Sequence, residues 1–140
     1  MNTVYNLIMI DMESSYNDHF EKFNIGFFSC REKAETAARK YLNEVDGFKN
    51  YNITYQIIEK RLIGCNDSLK ISELFIVYGW NINEEYDDVD NIESDCYTTK
   101  QEAEQKLNDL KLSNSLTEWC IDKYIIDECY WQEGFVKEYS

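Results

Sequence analysis

Between Glu84 and Asp95 the chain carries seven carboxylates, Glu84, Glu85, Asp87, Asp88, Asp90, Glu93 and Asp95, with no Lys or Arg among them. Clustered carboxylates can hold a hard cation, work as an acid–base pair, or present spaced negative charge to a basic partner. The run Asp88-Val89-Asp90-Asn91-Ile92-Glu93 begins like a calcium loop. It then places Ile92 at the fifth position, Glu93 where the turn needs glycine and Thr99 at the twelfth, so the EF-hand pattern fails. Acid–base work needs two carboxylates in opposed environments within a cleft, and in a chain with 27 Asp+Glu a pair carries little information. The third chemistry fits best. Carboxylates along a loop or edge imitate the phosphates of a nucleic acid, and Tyr86, inside the run, supplies an apolar anchor. Glu84, Glu85, Tyr86, Asp87, Asp88, Asp90, Glu93 and Asp95 are therefore the expected partner-binding residues, with Tyr97 close by and Trp80 expected in the core.

The nucleophiles give less. His19 is the single histidine, which excludes two-His mechanisms and His-rich metal sites, and its polar neighbours suggest an exposed loop. The five cysteines, Cys30, Cys65, Cys96, Cys120 and Cys129, form no C-x-x-C pair. Cys30 stands at a helix start beside Arg31, the setting in which a thiol becomes nucleophilic; the others read as structural. The five glycines, at 26, 47, 64, 79 and 134, make no phosphate-cradling loop and no nucleophile elbow. Neither catalysis, a cofactor nor a metal is expected.

A chain of 140 residues with 44% hydrophobic and 15% aromatic side chains is long enough and apolar enough to bury a core. Its net charge of −13 repels phosphates, which disfavours nucleic acid and anionic membranes and favours a basic protein surface. An odd number of unpaired cysteines, a start without a leader pattern and apolar runs no longer than Leu74 to Trp80 suggest a reduced, cytoplasmic protein. The absence of proline and the presence of only three arginines suggest an AT-rich genome. If that genome is a phage's, the compartment is the host cytoplasm.

The elements that must position these residues are legible through a degenerate internal repeat. Val4 to Asp11 aligns with Leu74 to Asn81, Phe28 to Tyr41 with Tyr97 to Leu110, and Ile53 to Leu62 with Ile121 to Tyr130. Each copy opens on a β-branched and aromatic strand and continues with a short second strand. A helix follows, behind S-x-x-E (Ser29 to Glu32) or T-x-x-Q (Thr98 to Gln101), the form of a capping box. Ala34, Ala38 and Tyr41, and likewise Ala103, Leu107 and Leu110, recur at helical spacing, so one stripe of each helix faces a sheet. The fold expected is α+β: two ββαβ-like repeats, 1–64 and 74–140, joined by a turn at 65–73. They would pack as one pseudo-symmetric domain with two helices against an antiparallel or mixed sheet. The late aromatics Trp131 and Phe135 imply that the C-terminal segment docks on the body or on a partner.

Residues 1–70 hold ten acidic and nine basic side chains, and residues 71–140 hold 17 and five. Because both copies need the same elements, this asymmetry is free to serve function. The expected function is non-catalytic binding that blocks a basic surface of another protein, most concretely a nucleic-acid-binding enzyme, as in phage antagonism of a bacterial defence nuclease. An immunity protein that neutralises a toxin nuclease is the alternative within the same physics. A small-molecule or nucleotide binder at the junction of the copies is the alternative from another class.

Overall fold

β-Branched and aromatic runs become strands and the two alanine-striped segments become helices. The structure, a computed structural model, describes residues 2–16, 19–64, 71–81 and 91–135. In chain order the elements are β1 (Thr3–Tyr16), β2 (His19–Phe28), α1 (Arg31–Glu44), β3 (Ile53–Ile63), β4 (Glu73–Trp80), β5 (Ile92–Glu93), β6 (Cys96–Tyr97), α2 (Lys100–Ser113) and β7 (Glu118–Ile125). The architecture is α+β, two helices and a mixed sheet. His19 opens a strand rather than lying in a loop. No helix among the described residues is long and apolar enough to cross a membrane.

The chain divides into two compact units, each assembled from separated stretches: Val4–Glu59 with Ile126–Ser140, and Met1–Thr3 with Lys60–Ile125. In the first, β1 pairs antiparallel with β2 from Tyr5↔Phe28 to Tyr16↔His19, and β3 takes the other edge of β1. Helix α1 crosses from β2 to β3. Fully buried Ala34 and Ala38 let its backbone approach Leu7, Met9, Phe23 and Ile25. Leu7 faces Gly26 while Ile8 faces Asn24, so Ile25 is the extra residue of a β-bulge. Buried Asn6 supports the bulge, donating from Nδ2 to Asn24 Oδ1 at 2.8 Å and to the Gly26 carbonyl at 3.0 Å.

The segment after β7 runs along β2. The Asp127 N–H donates to the Phe27 carbonyl at 2.8 Å and the Tyr130 N–H to the Ile25 carbonyl at 2.7 Å. A Cβ at Gly26 would stand 2.5 Å from the Glu128 carbonyl oxygen, so the close approach depends on glycine there. Phe135 then stacks on Phe23 at 4.6 Å and meets Phe48 edge-on at 4.9 Å. The aromatic tail expected to dock does so on this unit.

In the second unit β4 pairs antiparallel with β7 from Glu73↔Ile125 to Trp80↔Glu118, with β6 at Phe75↔Tyr97, and with β5 at Tyr78↔Glu93. The end of β3 adds to β6 in parallel, Leu62↔Cys96 and Ile63↔Tyr97. Helix α2 crosses from β6 to β7, with buried Ala103 over Phe75, Val77 and Tyr97. Leu74 through Val77 are all buried, so β4 is covered on both faces, as a near-continuous apolar run requires. The strand order is thus β2-β1-β3 in one unit and β6-β4-β7 in the other.

Two local expectations shift. The helix caps fall one residue later than the capping boxes imply, on Cys30 and Thr99. Thr99 accepts from the Glu102 N–H at 3.2 Å, whereas Cys30 makes no side-chain cap and Ser29 is engaged elsewhere. Trp80 closes β4 exposed instead of buried. It is Trp119 that lies over Gly79, where a Cβ would come within 2.6 Å of the Trp119 ring.

Candidate functional site

A group of polar and thiol side chains gathers beside α1. Phe28 ends β2, Cys30 caps the helix, and Lys33, Thr36, Ala37 and Lys40 follow at helical spacing along one stripe. The segment after β7 crosses this stripe and brings Asp127 and Cys129 with it. Together they line a cavity of about 630 Å³, within the roughly 300–1,000 Å³ range of small-molecule sites. Residues of both sequence copies meet there, 28–40 from the first and Asp127 and Cys129 from the second. Sequence reasoning missed the site because its second wall comes from about ninety residues away. The local signs are Cys30 at the helix start and Ala37, a small apolar residue between Lys33 and Lys40.

Asp127 organises one end. Its Oδ1 accepts from the Ser29 N–H at 2.8 Å, its Oδ2 from the Ser29 hydroxyl at 2.9 Å and from Lys33 Nζ at 3.0 Å. This explains the displaced cap, since Ser29 spends its hydroxyl on a carboxylate distant in sequence. The Asp127 backbone is left-handed, φ 68°, a conformation that Asp tolerates better than most residues. Burial pushes the Asp127 carboxyl upward, but the Ser29 N–H, Lys33 and the Ser29 hydroxyl together outweigh it and hold the group below its ordinary value. Lys33 is raised, first by its hydrogen bond to Asp127 and then by that residue's charge.

A depressed carboxyl contributes stability that is present above its unfolded value, about 3.9, and is lost as pH falls through the folded value. Asp127→Asn should therefore lower stability at neutral pH by about 1 kcal/mol, the worth of weakened hydrogen bonds at a solvent-screened site. Urea unfolding of both proteins at several pH values checks it. The gap should narrow below about pH 4; a gap that stays constant would show that the carboxylate charge plays no part.

The thiols do not converge on one reactive centre. Burial pushes Cys129 up, with partial relief from the Tyr41 hydroxyl and Lys40, and pushes Cys96 up to about 11. Such thiols stay protonated and are poor nucleophiles. The Tyr41 hydroxyl donates to the Tyr130 carbonyl at 2.7 Å and is itself pushed up, by burial first and by Cys129 next. Among the described residues no group of three or more His, Cys, Asp or Glu side chains is placed to hold a metal ion.

Of the expected partner-binding residues, Glu84, Glu85, Tyr86, Asp87, Asp88 and Asp90 lie outside the described residues. Glu93 sits in β5 opposite Tyr78 and forms an ion pair with Lys60, whose side chain is only 14% exposed; burial lowers the Lys60 ammonium. Asp95 is exposed immediately before β6. Nothing in the sequence pairs Lys60 with Glu93, because β3 and β5 are brought together only through β6 and β4.

The charge polarity seen along the sequence does not survive folding into units. The unit of Val4–Glu59 and Ile126–Ser140 contains 13 acidic and seven basic residues, and the unit of Met1–Thr3 and Lys60–Ile125 contains 14 and seven. Asp127, Glu128 and Glu133 fall in the first unit, while Lys60 and Arg61 belong to the second. No protein-family model matches the chain, and no curated protein and no solved structure matches it either. The site therefore has to be read from its own chemistry.

Proposed function

We propose that this protein is a non-catalytic binder that docks its acidic surface on a basic surface of a partner protein and blocks it. The observation that carries the reading is the twofold excess of acidic over basic residues in each compact unit separately. Folding demands no such excess, and its physical consequence is long-range attraction to a basic partner. A nucleic-acid-binding enzyme is the concrete target, because a channel built for phosphates is basic and carboxylates can occupy it. Phage antagonism of a defence nuclease and immunity against a toxin nuclease are the two biological forms of that one interaction.

Affinity capture from the native host, followed by titration of the captured partner at increasing salt, tests the proposal. The expected partner is basic, and its affinity falls about tenfold or more between low and physiological salt. A neutral partner, or binding indifferent to salt, would sink it.

The cavity beside α1 favours a second reading, a small-molecule or nucleotide binder. Its lining includes apolar Phe28 and Ala37 and the amino group of Lys40, beside Glu32 and the Lys33–Asp127 ion pair. A matching anionic metabolite at a hundred times its Kd should stabilise the protein by about 2.7 kcal/mol. Lys40→Ala should remove most of that thermal shift. If no nucleotide or anionic metabolite in a panel raises Tm, this second reading fails.

A further inference from the structure

The wall that α1 gives to its cavity has two rows. Glu32, Thr36 and Lys40 stand four residues apart and share one stripe, while Lys33 and Ala37 form the stripe beside it. Phe28, Asp127 and Cys129 complete the lining from the same compact unit. The four charges are not equivalent. Lys33 spends its ammonium on Asp127 Oδ2 at 3.0 Å and on the Ser29 hydroxyl at 3.3 Å, so that pair is neutral and already engaged. Glu32 and Lys40 form no ion pair among the described residues, and they stand at the two ends of the helical wall.

The helical rise between them is about 12 Å at 1.5 Å per residue. Along that length the lining is apolar at buried Ala37 and Phe28. Thr36 adds a hydroxyl, whose oxygen accepts from Arg39 at 3.4 Å and whose O–H is left to donate. Two amino groups and two carboxylates leave the lining without net charge, so a polyphosphate would set much of its charge against Glu32 and Asp127. A ligand with a cation at one end, an anion at the other and an apolar body matches every part. Three extended residues span about 10 Å, which brings a terminal ammonium to Glu32 while the terminal carboxylate lies at Lys40.

We infer that the cavity beside α1 binds a short zwitterionic peptide, its ammonium on Glu32, its carboxylate on Lys40 and a central apolar side chain against Phe28 and Ala37. The inference rests on the small-molecule reading of this cavity. It narrows the ligand from an anionic metabolite to one whose carboxylate is balanced by an ammonium at the far end. The peptide then runs parallel to α1, with Thr36 beside its middle residue.

The probe is the tripeptide Ala-Leu-Ala, compared with its N-acetyl form, its C-terminal amide and Ala-Gly-Ala. Each is titrated calorimetrically into the full chain at low salt, and Tm is followed in parallel. Ala-Leu-Ala should bind and raise Tm, and each capped form should bind about three- to fivefold more weakly. Loss of the leucine in Ala-Gly-Ala should cost about tenfold. Glu32→Gln should abolish the cost of acetylation and keep that of amidation, and Lys40→Met should do the reverse. Both positions are exposed; should either variant unfold, the capped peptides test the same end groups on the unaltered protein. Equal binding of free and capped peptides, or end-group costs unchanged in both variants, overturns the inference. If nucleotides or dicarboxylates raise Tm and the peptides do not, it is overturned while the small-molecule reading stands. If no peptide, nucleotide or anionic metabolite raises Tm, both are overturned.

Discussion

Gly134→Ala is expected to cost about 3 kcal/mol and to lower Tm by roughly 10 °C. Gly134 has φ 78°, and a Cβ there would stand 2.0 Å from the Asp46 carbonyl oxygen and 2.9 Å from its carbon. Those are backbone atoms, so no side chain can rotate away to relieve the overlap. The same carbonyl receives the Phe135 N–H at 3.1 Å, and any retreat from Asp46 breaks that bond. Retreat also draws Phe135 off Phe23 and Phe48, the centre of the aromatic cluster in this unit. A left-handed alanine, a lost hydrogen bond and partial loss of an aromatic contact each contribute about 1 kcal/mol. Denaturant unfolding gives the magnitude, and amide exchange should show protection lost first at Tyr130 and Phe135. Trp131→Gly, three residues earlier in the same turn, should be close to neutral, because the relief of a left-handed backbone, φ 61°, offsets the lost edge-on contact with Phe23. A Gly134→Ala protein within about 0.5 kcal/mol of the parent would mean that the turn does not anchor the C-terminal segment.

Simultaneous replacement of Asp87, Asp88 and Asp90 by Lys is expected to weaken binding to the basic partner at least about a hundredfold at low salt. The change takes the net charge from −13 to −7. It replaces the densest acidic stretch of the chain, which the partner's cations would approach, with charges that repel them. Repulsion falls within a Debye length, about 10 Å at moderate ionic strength, so the loss should shrink as salt is added. Reversing charges in a strongly acidic protein also relieves self-repulsion, so Tm should hold or rise. Affinity and Tm measured side by side separate loss of the interface from loss of the fold. Unchanged affinity would remove residues 84–95 from the interface.

Much of the secondary structure was legible, and the reasons are local. The apolar runs at Val4 and Leu74 extend as β1 and β4, and the Ala34 and Ala103 stripes pack as expected because a 3.6-residue period has one buried face. The caps were misplaced by one residue because Ser29-Cys30 and Thr98-Thr99 each offer two adjacent positions. The choice fell to tertiary contacts: Ser29 is taken by Asp127, and the Thr98 N–H donates to the Ile63 carbonyl at 2.9 Å, which leaves Thr99 to cap the helix at Glu102. Trp80 was expected inside on hydrophobicity, yet it ends its strand in solvent while Trp119 covers Gly79 from the neighbouring strand. Which of two aromatics fills a space is settled by cross-strand register, and register has no signature in the run itself.

The candidate sites divide the same way. From sequence alone came the α+β class with its two helices, the weight of negative charge, and the lack of a phosphate-loop motif or a second histidine, since each depends on residue type and short spacing. Tertiary structure decided which side chains meet. The chain after β7 returns to β2, and the end of β3 crosses to β6. An excess that looked confined to one half is thereby shared between both units, and Asp127 and Cys129 close a cavity on α1. Long-range strand exchange is driven by the unpaired hydrogen-bonding groups of an exposed strand edge. A backbone group is the same at every residue, so the sequence does not say which edge it will find.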